Sequence, residues 1–192
     1  MGKQHLANQQ DEIRRFAESF RQLSSIYRNV SFLEPEFHGD VMRYAYLEAP
    51  TLDELLDEKI RGGEDAVSVL REALDRILAV EDKGLAPFEK TEKFTEIFGP
   101  VKRAEGPAFL VSNIDMLFEN IMVQEEKLQC LDYEWVFDFP IPVDFVRYRI
   151  LLYFYRHHES LFEGKMDCTG LLERCGISRP MAIQYAKMEK SF

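Results

Sequence analysis

The chain has 192 residues, with 34 acidic and 24 basic side chains, a formal net charge of −10 and 46% apolar residues. At roughly 150 residues per domain this is one globular domain, with enough apolar mass for a real core. The acidic excess argues against nucleic acid or an anionic membrane as partner, because lysines and arginines are interleaved with acids and form no basic patch.

Ile13, Phe16, Phe20, Leu23 and Tyr27 recur at helical spacing, which predicts an amphipathic helix from about Gln4 to Asn29. Phe32 to Phe37, interrupted by Pro35, reads as irregular extended chain. His38-Gly39-Asp40 is a turn signal, and Val41 to Leu47 reads as a strand. Thr51-Leu52-Asp53-Glu54 is a capping box that starts a helix at Leu52, ending near Arg61 at Gly62-Gly63. A second helix follows with Val67, Leu70, Leu74, Ile77 and Leu78 as its buried stripe. The connection from Lys83 to Ala108 is rich in glycine and proline. A short helix over Lys90 to Ile97 is expected there, with Phe88, Phe94 and Phe98 pinning it to the core. Ile121–Val123 and Leu128–Leu131 read as two short strands joined by the polar turn 124–127. Pro140 and Pro142 bracket an extended or turn segment, and Asp144 to His158 is strongly helical. Two short helices, Leu171–Cys175 and Pro180–Lys190, close the chain around Gly176.

Cys130, Cys168 and Cys175 are an odd, sparse set, which points to reduced thiols in a cytoplasmic protein. The longest apolar run, Ile150 to Tyr155, falls far short of the ~20 residues of a membrane span. Met1 to His5 has no apolar stretch of the secretory kind. His157-His158 with Cys168 and Cys175 match no closed zinc spacing. The helix-turn-helix pattern of Leu171 to Lys190 lacks the basic recognition face that DNA would require.

The informative stretch is Asn113-Ile114-Asp115-Met116-Leu117-Phe118-Glu119-Asn120, followed by Cys130-Leu131-Asp132-Tyr133-Glu134-Trp135. Phosphoryl transfer needs one carboxylate to orient or deprotonate the acceptor hydroxyl. It also needs a carboxamide and a second carboxylate to hold the magnesium that bridges the phosphates. The Asp-x4-Asn spacing puts both side chains on one tight loop, and a hairpin would return the chain so that the second Asp faces them.

This stretch resembles the catalytic and metal-binding loops of the kinase-like fold, most closely the choline-kinase and aminoglycoside-phosphotransferase branch, whose metal aspartate is followed by an aromatic residue and Glu, as in Asp132-Tyr133-Glu134. The resemblance implies an α+β, mainly helical fold: the large lobe of a protein-kinase-like fold with a truncated small lobe. Residues 4–50 would be the small-lobe remnant and 51–192 the large lobe with its catalytic-loop hairpin. It implies Asp115 as catalytic, and Asn120 and Asp132 as metal ligands. Tyr44 to Ala49 would be the last sheet strand and hinge, with Tyr46, Leu47 and Glu48 meeting an adenine. Mg2+ and ATP would be the cofactors, and the acceptor a small hydroxylated molecule such as a sugar. Asn113 stands where the branch usually has His. The glycine-rich loop and strand lysine would lie before the first helix, where only residues 1–3 remain. The chain is therefore expected to be incomplete or inactive by itself.

A narrower resemblance covers Asp132 to Val143 together with Asn113-Ile114-Asp115. It is to a segment of large bacterial proteins labelled glycosyltransferases or methyltransferases of surface-polysaccharide clusters. It implies an alternative: a non-catalytic interaction module that meets another protein domain or a second copy. On that view the aromatic run Trp135 to Pro142 is core or interface packing rather than a substrate box.

Overall fold

The computed structural model describes residues 2–38, 41–101 and 105–192. The expected turn at His38-Gly39-Asp40 therefore lies largely outside the described residues. Eight helices and ten short strands alternate along these residues, giving a mixed α+β, mostly helical fold with several small sheets.

Helix α1 spans Gly2–Ile26 and ends earlier than its periodicity suggests, because Val30–Phe32 leaves the helix to form strand β1. Strands β2 (Glu36–His38) and β3 (Val41–Arg43) make an antiparallel hairpin. The strand expected over Val41 to Leu47 stops at Arg43. Residues 44–48 are irregular. Tyr44 and Tyr46, whose alternation suggested pleating, are both exposed, Tyr46 at 89%.

Helix α2 (Leu52–Arg61) begins on the predicted capping box. The Glu54 amide donates to Thr51 Oγ1 at 3.2 Å, and the Thr51 amide to Glu54 Oε2 at 2.9 Å. Helix α3 (Ala66–Ile77) is capped by Asp65 and buries the predicted stripe completely. Strand β4 (Leu85–Pro87) and helix α4 (Glu92–Phe98) organise the long connection, and Phe94 and Phe98 are buried as expected. Beyond it lie β5 (Pro107–Phe109), β6 (Ser112–Asn113), β7 (Ile121–Gln124), β8 (Lys127–Cys130), β9 (Val136–Phe137) and β10 (Ile141–Pro142).

Their pairing decides where the site sits. The β7–β8 hairpin accepts β1 in parallel register on its outer edge, Val30 opposite Leu128 and Phe32 opposite Cys130. β5 is flanked antiparallel by β4 and β10. β6 pairs with β9, Asn113 opposite Val136. The loop 114–120 and the hairpin are thus enclosed between two mutually paired two-residue strands.

Helix α5 (Val143–His157) buries Phe145, Val146, Tyr148 to Leu152 and Phe154, nearly its whole circumference. Such a helix is the centre of its domain rather than a surface element. The small helix α6 (Glu159–Phe162), α7 (Cys168–Arg174) and α8 (Arg179–Ser191) pack around it. One hydrophobic cluster runs from Leu23 to Met188. Within it Tyr27 and Phe32 stand edge to face at 5.3 Å, and Phe32 meets Tyr133 at 5.8 Å. Aromatic residues before Thr51 thus share a core with those after it. Among the described residues no helix is long and apolar enough to cross a membrane.

Candidate functional site

Asp115 lies just after β6, where the chain bends away from its partner strand. Its two main-chain polar groups are held by two carboxamides. The Asp115 amide donates to Asn113 Oδ1 at 3.1 Å, and Asn120 Nδ2 donates to the Asp115 carbonyl at 3.0 Å. A single 3-10 turn, Phe118–Asn120, brings Asn120 back to that carbonyl. The spacing from Asp115 to Asn120 does what the sequence suggests: it closes one tight loop.

Asn113 is fully buried and serves both halves of the site. Besides receiving the Asp115 amide, its Nδ2 donates to the Asp132 carbonyl at 2.8 Å. One side chain thereby ties the loop that carries Asp115 to the segment that carries Asp132. The Ile114 amide donates to the Trp135 carbonyl at 3.2 Å and extends the same seam. Asp132 itself is exposed, and its Oδ1 accepts from the Glu134 amide at 3.2 Å, closing a local turn.

The Asp115 carboxylate points at a residue that the motif did not single out. Arg149, only 3% exposed, donates through Nη2 to Asp115 Oδ1 at 2.9 Å, through Nε to the Ile114 carbonyl at 3.2 Å, and through Nη1 to Glu189 Oε2 at 2.7 Å. Tyr153 completes the network by donating its hydroxyl to Glu189 Oε1 at 3.0 Å. Helices α5 and α8 therefore both reach the loop. The available signal was an arginine among apolar residues on the buried face of α5. Nothing in the sequence linked it to Glu189, forty residues later.

Tyr46, Leu47 and Glu48 lie away from these contacts. They line a cavity of about 510 Å3 with Leu33, Met122 and Leu131. Leu131 is the residue before Asp132, so the cavity opens beside the same segment.

Comparison of the chain with family models, with curated proteins and with solved structures gives no match. The chemistry of the site is therefore read from its own groups.

Burial is the largest influence on Asp115 and pushes its carboxyl upward. Arg149 opposes that, while the Asp132 and Glu189 charges add to it, and the net direction is up. Cys130 is fully buried beneath the site, against the Asp132 carbonyl at 3.2 Å, and burial pushes its thiol up to about 12. A thiol so raised is no nucleophile at neutral pH. His157 and His158 separate toward different carboxylates: His157 Nδ1 lies 3.1 Å from Glu119, and His158 Nε2 lies 2.7 Å from Asp53. They do not gather with Cys168 or Cys175. Among the described residues no group of three or more His, Cys, Asp or Glu side chains could enclose a metal ion.

Magnesium in phosphoryl-transfer sites keeps several waters and takes one or two protein carboxylates plus substrate phosphates. Of the two expected ligands, Asp132 is exposed, and Asn120 has its nitrogen engaged at the Asp115 carbonyl.

Proposed function

We propose that this chain is a kinase-like phosphotransferase module, the large lobe of a protein-kinase-like fold, incomplete or inactive by itself, whose reaction is phosphoryl transfer from Mg-ATP to a small hydroxylated acceptor such as a sugar. The observation that carries the reading is the fixing of Asp115 through both of its main-chain groups, by Asn113 and Asn120, with Asn113 also holding Asp132. With its main chain held by the carboxamides and its Oδ1 held by Arg149, Asp115 would receive an incoming hydroxyl at Oδ2 with little reorganisation.

In this reading the acceptor oxygen bonds to the γ-phosphorus as the bond to the β,γ-bridging oxygen breaks, and the hydroxyl proton passes to Asp115. Its upward-pushed carboxyl suits that role. Asn120 and Asp132 would hold Mg2+, which when bound neutralises charge on the phosphates. The apolar cavity at Tyr46, Leu47 and Glu48 would take the adenine. With a net charge of −10, the chain would bind the triphosphate only as its magnesium complex.

Isothermal titration calorimetry tests the reading. Mg-ATP should bind with a Kd in the micromolar to millimolar range. Asp132→Ala should weaken it at least about tenfold, the cost of one charge-assisted contact. Asp138→Ala, at an exposed carboxylate outside the site, should leave it unchanged. Equal binding by wild type and Asp132→Ala would refute the assignment.

A second reading, a non-catalytic module docking to a transferase domain or to a second copy in the cytoplasm, is favoured by the exposed Tyr46 and Ile183. Size-exclusion chromatography with light scattering separates the two: concentration-dependent association supports docking.

A further inference from the structure

Between α1 and the segment 133–138 lies a cleft of about 610 Å3, within the usual size range of small-ligand sites. It is separate from the cavity at Tyr46 and from the contacts of Asp115. One wall carries Arg15, Glu18 and Gln22; the other carries Glu134, Trp135 and Asp138. Trp135 is the only tryptophan of the chain, and it is 49% exposed. It is braced rather than loose. Its carbonyl receives the Ile114 amide, and its ring meets Phe192 at 88° with centroids 5.1 Å apart. Phe192 is in turn covered by the Arg149 guanidinium, 5.2 Å from its centroid. A large indole held in one orientation yet left half in water costs solvation free energy that the fold does not recover.

The polar groups around it are planar side-chain tips of both signs, each able to make paired hydrogen bonds. Three are carboxylates, which disfavours a phosphate or other anion. The positive charges nearly offset them: Arg15 lies in the wall, and Lys93 pairs with Asp138 at 3.6 Å. Two of the three carboxylates are thereby offset, and the single negative charge left over, open to water, gives a cation little to gain. An aromatic face ringed by paired donors and acceptors suits a ligand with C–H groups on one face and hydroxyls around its rim. We propose that this cleft binds a neutral pyranose saccharide, stacked on Trp135 and hydrogen-bonded by Gln22 and Glu134. The proposal does not depend on the phosphotransferase reading, and its test contains neither nucleotide nor magnesium.

Because Trp135 is the sole tryptophan, its emission reports on this cleft alone. Titration of the full chain with cellobiose and with methyl α-D-mannopyranoside should give a saturable emission change with at least one of them. The apparent Kd should be in the millimolar range or below, and the saccharide should protect Trp135 from acrylamide quenching. Gln22→Ala and Glu134→Gln should each weaken the response at least about tenfold, with far-ultraviolet circular dichroism unchanged. A non-saturating response to both saccharides overturns the proposal. So does a saccharide response indifferent to both substitutions. A saturable response to tetramethylammonium chloride in place of the saccharides overturns it too, and makes the cleft a cation site.

Discussion

Asp115 stands between two opposed influences. Burial disfavours its charged form, the Arg149 guanidinium favours it, and burial is the larger. Its folded-state pKa therefore lies above its unfolded value. A carboxyl of that kind contributes stability that is full below the unfolded pKa and lost as pH rises through the folded pKa. Asp115→Asn keeps the shape and removes the ionisation. In urea denaturation measured across pH, the variant should gain on wild type as pH rises from the ordinary carboxylate range, about pH 4, toward neutrality. The two curves should meet at acid pH. A variant that instead loses ground as pH rises would mean that the Arg149 pair outweighs burial. The same residue shows what a motif can and cannot convey. Spacing announced that Asp115 and Asn120 share a loop, and they do, but the Asn120 nitrogen is spent on a main-chain carbonyl. Asn113, outside the expected catalytic and metal-binding set, joins both aspartate segments through its carboxamide.

At the scale of elements, the β7–β8 hairpin carries Asp132 back toward Asp115, and its turn is under strain. Glu125 and Glu126 form the two-residue loop with φ of 49° and 66°. Left-handed backbone at both positions is the geometry of the twist-matched hairpin turn, and Asn-Gly is the sequence that adopts it most readily. Glu125→Asn with Glu126→Gly should stabilise the protein by about 1 kcal/mol, read as a rise in the urea midpoint at constant slope. The Glu126 carbonyl, which receives the Arg76 guanidinium, is retained in the variant. The hairpin was legible despite its poor turn residues, because apolar strands flanking a short polar tetrad suffice. Helix α2 was legible because a capping box is a local signal with reciprocal partners. Strands β1, β4, β5, β6, β9 and β10 were not. At two or three residues each they are too short to show an alternation, and their pairing is decided by partners far along the chain, as Val30 is by Leu128. Tyr44 and Tyr46 failed the opposite way: they alternate well, but residues 44–48 form no strand.

For the molecule as a whole, Arg149 is the point at which three distant parts meet: the loop at 114–115, the centre of α5, and α8 through Glu189. No sequence pattern could announce this, because a lone arginine within α5 has the same spacing whether it snorkels outward or is sealed in. The structure seals it in, with Tyr153 and Phe192 against its guanidinium. Burying this cation is tolerable only because two carboxylates and a carbonyl receive it. Removing it alone leaves Asp115 and Glu189 facing a vacated site, and breaking a buried pair in this way costs about 3–5 kcal/mol. Arg149→Met should therefore lower stability by that order in chemical denaturation. The combined variant Asp115→Asn, Arg149→Met, Glu189→Gln, which leaves no stranded charge, should recover most of the loss. The comparison matters more than either value. If the single substitution costs much and the triple costs little, the network specifies how α8 docks onto the loop without being the main source of cohesion. If the triple variant is as unstable as the single, the guanidinium's bonds to the Ile114 carbonyl and its packing on Phe192 hold these elements together, and the position of Asp115 depends on α8 directly.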